Sequence, residues 1–217
     1  MSIVLDIETE LFTDEFQEAT DKRTRLRLAP QPRIACVYVI EDQKYLFFTP
    51  DRFSELHKLL RRAKEIITYN GERFDLLVLR KFLKVGKRAL SKAKSFDLFS
   101  HVSRAAGFRV SLDNLARLNL GKGKKMKGKV LATAPLKKLK AGCRSDVSQT
   151  YQLWKKYIAG TLKVPSKDDY ETSIVTCPKC GQTPSPDWEH MSEGEMAEHI
   201  AWTLGGGFCP FCEHPIS

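Results

Sequence analysis

No apolar run in the 217 residues approaches the ~20 needed to cross a bilayer. The opening residues, MSIVLDIETE, also lack the basic start and long apolar stretch of a secretory signal. The expectation is therefore an intracellular chain with no membrane partner. Basic residues are missing from residues 1–21, which hold seven acids and no Lys or Arg. A disulfide framework is excluded as well: four of the six cysteines form two Cys-x-x-Cys pairs near the end, and Cys36 and Cys143 stand singly in apolar patterns. That usage suits metal ligation in a reducing compartment.

What is present is globular. Hydrophobic residues make up 42% and aromatics 10%, too much for a disordered chain. The charge of +10 is uneven: from residue 162 onward three Lys face nine acids, which leaves +16 on residues 1–161. A basic domain with an acidic first strand suggests a polyanionic partner and a local demand for carboxylates.

IVLDIE, RIACVYVI and QKYLFF read as three strands in an antiparallel meander, and EIITYN as a fourth. DRFSELHKLLRRA reads as a helix with Leu56, Leu59 and Leu60 inward and Asp51 as N-cap. Phe74 to Phe82 reads as a second helix. SFDLFSHVSRAAG reads as a strand end passing into a helix, and SLDNLARLNLG as a helix closed by Gly121. Val147, Tyr151, Trp154 and Ile158 make an apolar helical stripe with Asp146 beside it. Strands followed by alternating strands and helices predict an α/β fold with a sheet of mixed direction. A polar stretch near residues 160–172 marks a domain boundary.

Asp6 and Glu8, two apart on a strand, leave the same face. Asp75 falls in the first turn of a helix after the turn Tyr69-Asn70-Gly71, where it either serves the helix N-terminus or faces a site. With Asp146, three segments each bring an acid to one sheet rim. Such a set could hold two divalent cations roughly 4 Å apart, as two-metal phosphodiester cleavage requires. Carboxylates without nearby His select hard Mg²⁺ or Mn²⁺. Asp97 is a fifth acid, read either as a group behind the ligands or as a helix cap.

The order LDIETE, YNGERFD, CRSDV resembles the three motifs of the DEDD exonuclease superfamily, which includes the proofreading domains of family B DNA polymerases and bacterial ribonuclease H-like exonucleases. The resemblance covers about residues 3–158. It implies a ribonuclease H-like fold over residues 1–160 and 3′-to-5′ exonuclease activity on nucleic acid, with single-stranded 3′ ends of DNA or RNA as substrate. Asp6, Glu8, Asp75 and Asp146 become catalytic ligands of two Mg²⁺ or Mn²⁺, which would activate the attacking water and stabilise the leaving oxygen. Asn70 would lie near the strand end, and Phe74 would pack beneath the site. The superfamily carries a Tyr four residues, or a His five residues, before the last Asp; here those positions are Gly142 and Ala141. Either no side-chain base is needed, or Lys138 or Lys140 orients the water, or the fold binds nucleic acid or serves assembly without cleaving. A structure-specific endonuclease is a further alternative.

GKGKKMKGKVLATAPLKKLK has eight Lys, three Gly and no acid. Lys122, Lys124, Lys125, Lys127, Lys138 and Lys140 are read as phosphate contacts on a Gly-spaced loop. Beyond a linker at residues 161–173, Cys177, Cys180, Cys209 and Cys212 have the spacing of a four-thiolate structural Zn²⁺ site, a zinc ribbon over residues 174–217. Its acidic surface suits docking to a protein partner better than phosphate binding.

Overall fold

The computed structural model describes residues 1–11, 13–123 and 133–166. Its sheet has five strands: β1 (Ser2–Thr9), β2 (Pro32–Val39), β3 (Lys44–Phe48), β4 (Glu65–Thr68) and β5 (Lys94–Asp97), in the order β3-β2-β1-β4-β5. β1, β2 and β3 are antiparallel neighbours, and β1, β4 and β5 run parallel. The meander and the mixed direction match the expectation, and β1 is the central strand.

The register decides which side chains share a face. Asp6 lies opposite Cys36 and Glu8 opposite Ile34, so Val4, Asp6 and Glu8 face the same way as Ile34, Cys36 and Tyr38. On that face Val4, Ile34, Cys36, Tyr38 and Ile67 pack with Leu139, Cys143 and Val147 of helix α8 (Leu136–Ile158). Residues 139, 143, 147 and 151 recur every fourth position, which lays one helical stripe along the sheet. Ile3, Leu5 and Ile7 point the other way. They meet Phe53, Leu56 and Leu60 of α3 (Phe53–Arg62) and Leu77, Val78 and Leu79 of α4 (Asp75–Phe82).

The described chain forms two compact units. One comprises Met1–Leu98 and the segment ending at Trp154, and holds the sheet. The other comprises Phe99–Gly123 and the segment from Lys155 onward. The second unit is built on α6 (Leu98–Ala106) and α7 (Leu112–Leu120), the latter capped by Ser111 and closed by Gly121 at φ 66°. There Asn119 both donates to the Lys163 carbonyl and accepts from the Lys163 amide, each at 2.8 Å, fixing the segment that leaves α8.

Two local expectations are corrected, and two further helices were not foreseen. Asp51 makes no capping bond; Pro50–Arg52 forms a 3₁₀ turn whose own backbone bond, Arg52 N–H to Thr49 carbonyl at 2.8 Å, leads into α3. Lys137, Lys138 and Lys140 are not loop residues, because α8 begins at Leu136. Two short helices, α1 (Asp14–Glu18) and α2 (Lys22–Leu28), follow β1 without an apolar stripe to announce them. They rest on caps instead: Thr13 accepts from Phe16 N–H, and Asp21 from Arg23 and Thr24 N–H. A fifth short helix in chain order, α5 (Lys87–Leu90), precedes β5. The linker beyond residue 166, the four zinc-ribbon cysteines and Lys124, Lys125 and Lys127 lie outside the described residues. No described helix is long and apolar enough to cross a membrane.

Candidate active site

β4 pairs with β1 only as far as Val4 opposite Ile67. Beyond that point the β4 side of β1 has lost its strand neighbour, and a buried amide there needs another acceptor. The Ile7 N–H donates to Asp75 Oδ1 at 2.7 Å. Asp75, the first residue of α4, is thereby pinned against the central strand, 3% exposed. Burial first, then the negative charge of Asp6 and more weakly that of Asp97, pushes its carboxyl well above the ordinary carboxylate range.

Asp6 and Glu8 are half-buried, each beside a fully buried apolar neighbour on β1. Across from them stands Cys143 on α8, wholly buried, its thiol 3.1 Å from Asp6 Oδ2 and 3.4 Å from the Asp6 carbonyl. One donor atom each from Asp6, Glu8 and Cys143 lies within 4.8 Å of the others. Burial, the adjoining Cys36 and the two carboxylates raise the Cys143 pKa well above its usual value, so it is a thiol that donates to Asp6. With that sulfur protonated, the donors offered to a divalent cation at this point are the two carboxylates, a hard pair that suits Mg²⁺ or Mn²⁺.

Asp146 is one turn beyond Cys143 and 4% exposed. Neither it nor Asp75 belongs to the tight trio. Asp97 is also 4% exposed. It accepts from Asn70 N–H at 2.7 Å and Glu72 N–H at 3.1 Å, holding the turn between β4 and α4. In that turn Asn70 takes φ 64°, and Gly71 lies so close to Thr68 that a Cβ would fall 2.4 Å from the threonine Cβ. The Asn70 Oδ1 is buried with no hydrogen-bond partner among the described residues. Phe74 packs on the α4 side of the sheet, edge-on to Phe16 at 5.9 Å. Arg25 bonds the Phe16 and Ala19 carbonyls and reaches the Arg73 carbonyl, tying α1 and α2 to the same turn.

Of the lysines, Lys122 is exposed after α7, and Lys138 and Lys140 are exposed on the first turns of α8. The Lys140 ammonium stands 5.8 Å above the Phe47 ring of β3, two strands from β1. Cys143 is the residue that sequence reasoning passed over. Its position three residues before Asp146, beside the vacant Tyr/His positions, was the signal available.

The RNase_H_2 family of the RNase_H superfamily matches residues 34–129, a span that holds Asp75 and Asp97 but not Asp6, Glu8, Cys143 or Asp146. No curated protein matches. Among solved structures, the family B DNA polymerase of the hyperthermophilic archaeon Pyrobaculum calidifontis is similar at a TM-score of 0.53 and 16% identity, over 93% of this chain and 28% of the polymerase. A product-bound exonuclease I has a TM-score of 0.43 and 14% identity, over 68% and 42% of the two chains. The zinc-ion-bound complex of E. coli exonuclease I with single-stranded DNA has a TM-score of 0.45 and 16% identity, over 80% and 43%. The chain spans less than half the length of each, and the polymerase likeness, at its low identity, bears on the fold alone. With helices flanking the mixed five-stranded sheet β3-β2-β1-β4-β5, the fold is ribonuclease H-like.

Proposed function

We propose that the chain is a divalent-metal-dependent 3′-to-5′ exonuclease acting on nucleic-acid strand ends. The observation that carries this reading is the placing of Asp6 and Glu8 on one face of the central strand, with the buried Asp75 carboxyl accepting from the Ile7 amide between them. Burying acids this close is costly unless cations offset their repulsion. In this reading Asp6 and Glu8 hold a shared cation, and Asp75 and Asp146 complete a two-cation site. The chemistry such cations supply is a lowered pKa for the attacking water and stabilisation of the leaving 3′ oxygen. Cys143 holds the Asp6 carboxylate in one orientation, Asn70 faces the strand end, and the basic residues before α8 follow phosphates. The four-cysteine module binds one structural Zn²⁺ and engages a protein partner.

Gly142 is buried at the position where a tyrosine would aim the water, which favours as second reading a nucleic-acid-binding protein without turnover. Incubating wild type and Asp6→Ala/Glu8→Ala with end-labelled DNA and RNA single strands and Mn²⁺ separates the two. The expected outcome is stepwise shortening from the 3′ end by wild type only. Intact strands with both proteins across Mg²⁺ and Mn²⁺ would remove the exonuclease reading. Cutting of a circular single strand would replace it with an endonuclease.

A further inference from the structure

β3 is the edge of the sheet, with no described strand beyond it. Along it runs an open groove of about 620 Å³, bordered by α3 on one face of the sheet and by Lys140 of α8 on the other. Leu46, among the more exposed large apolar side chains, and Leu59 line it. Lys58, Arg62 and Lys140 line the groove and are exposed, and none has an ion pair among the described residues. Glu55, the only acid among the described lining residues, is already taken by Arg52 at 2.7 Å. The groove therefore carries uncompensated positive charge on both sides of an unpaired strand edge.

A single-stranded nucleic acid would need free ring faces for its bases. The aromatic rings here are otherwise engaged: Tyr45 packs on Tyr38 at 4.6 Å and carries the Arg144 guanidinium at 4.5 Å, Phe47 carries Lys140, and Phe48 carries Arg52. What the edge offers is backbone donors and acceptors, an aliphatic contact and flanking cations. We propose that the outer edge of β3 binds an extended acidic peptide, which adds as a sixth strand with its carboxylates on Lys58, Arg62 and Lys140 and an aliphatic side chain against Leu46 and Leu59. Strand addition of this kind takes affinity from main-chain bonds and specificity from alternate side chains. The inference is independent of the carboxylate site.

The test uses fluorescence anisotropy of a fluorescein-labelled peptide of alternating glutamate and valine, titrated with the full chain. Saturable binding is expected, weakened roughly tenfold or more by Lys58→Glu/Arg62→Glu and separately by Lys140→Glu. A peptide of the same sequence with every backbone nitrogen methylated keeps its charge but has no strand edge to pair, and should not bind. The proposal is overturned by absence of binding, by equal binding of the methylated peptide, or by indifference to both charge reversals. Oligothymidylate that displaces the peptide, and itself loses affinity in the same variants, would make nucleic acid the occupant and overturn it too. Because the reversals lie on two different helices, loss of folding in one leaves the other to decide.

Discussion

Asp75 carries two opposed demands. Its Oδ1 satisfies the Ile7 amide, yet the carboxyl is buried near Asp6 and its pKa is raised. As pH climbs past about 3.9, where an unfolded Asp ionises, the folded state still holds its proton. The folded state then binds more protons than the unfolded one, so this group's contribution to stability is present at low pH and lost as pH rises through its folded value. Asp75→Asn keeps an acceptor for Ile7 and removes the charge. In chelator at neutral pH it is expected to raise stability by roughly 1–3 kcal/mol, an advantage that disappears in acid. Thermal melts at two pH values check this, and on the proposed cation site Mn²⁺ should stabilise wild type more than the variant. Cys143 acts instead as a donor to the neighbouring carboxylate. Cys143→Ala removes the donor to Asp6 Oδ2 and should weaken Mn²⁺ binding about tenfold by calorimetry, whereas Cys143→Ser keeps a donor and should lose less.

At the scale of elements, the turn between β4 and α4 positions Asp75, and Asp97 holds that turn. Asp97→Ala leaves the part-buried amides of Asn70 and Glu72 without their acceptor. A loss of about 2–4 kcal/mol in urea unfolding is expected, with falling activity as α4 loosens. The strands and most helices were legible in the sequence because their apolar patterns are strong: β1 opens with a β-branched apolar run, and α8 repeats every fourth residue. α1 and α2 were not, since short polar helices held by Thr13 and Asp21 have no such period. The helical start of α8 was hidden as well, because its Lys-rich first turns look like the loop that precedes them. The pairing of Asp97 with amides 25 and 27 residues earlier depends on β4 and β5 lying side by side.

For the whole molecule, the prediction that follows from composition concerns the C-terminal cysteines. Protein purified without chelator should contain about one zinc per chain by elemental analysis, lost in Cys177→Ser or Cys209→Ser. Absence of zinc from wild type would remove the ribbon assignment. The contrast between +16 on residues 1–161 and −6 beyond them further predicts that the two parts prefer partners of opposite charge.

The sequence by itself determined that Asp6 and Glu8 share a face, because side chains two apart on any strand do, and that Asp75 opens a helix. It also determined the mixed sheet, through the order of its strands and helices. Tertiary structure alone decided the company those acids keep. Which residue of α8 meets Asp6 depends on the rotation and slide of that helix over the sheet, and packing of Leu139, Val147 and Tyr151 on β1 and β2 sets both. That packing turned a cysteine with no motif of its own toward the carboxylates and left Asp146 one turn away. The open edge of β3, with cations from two helices separated by some eighty residues of chain, is likewise a product of assembly: neighbouring charge in space leaves no pattern in the sequence.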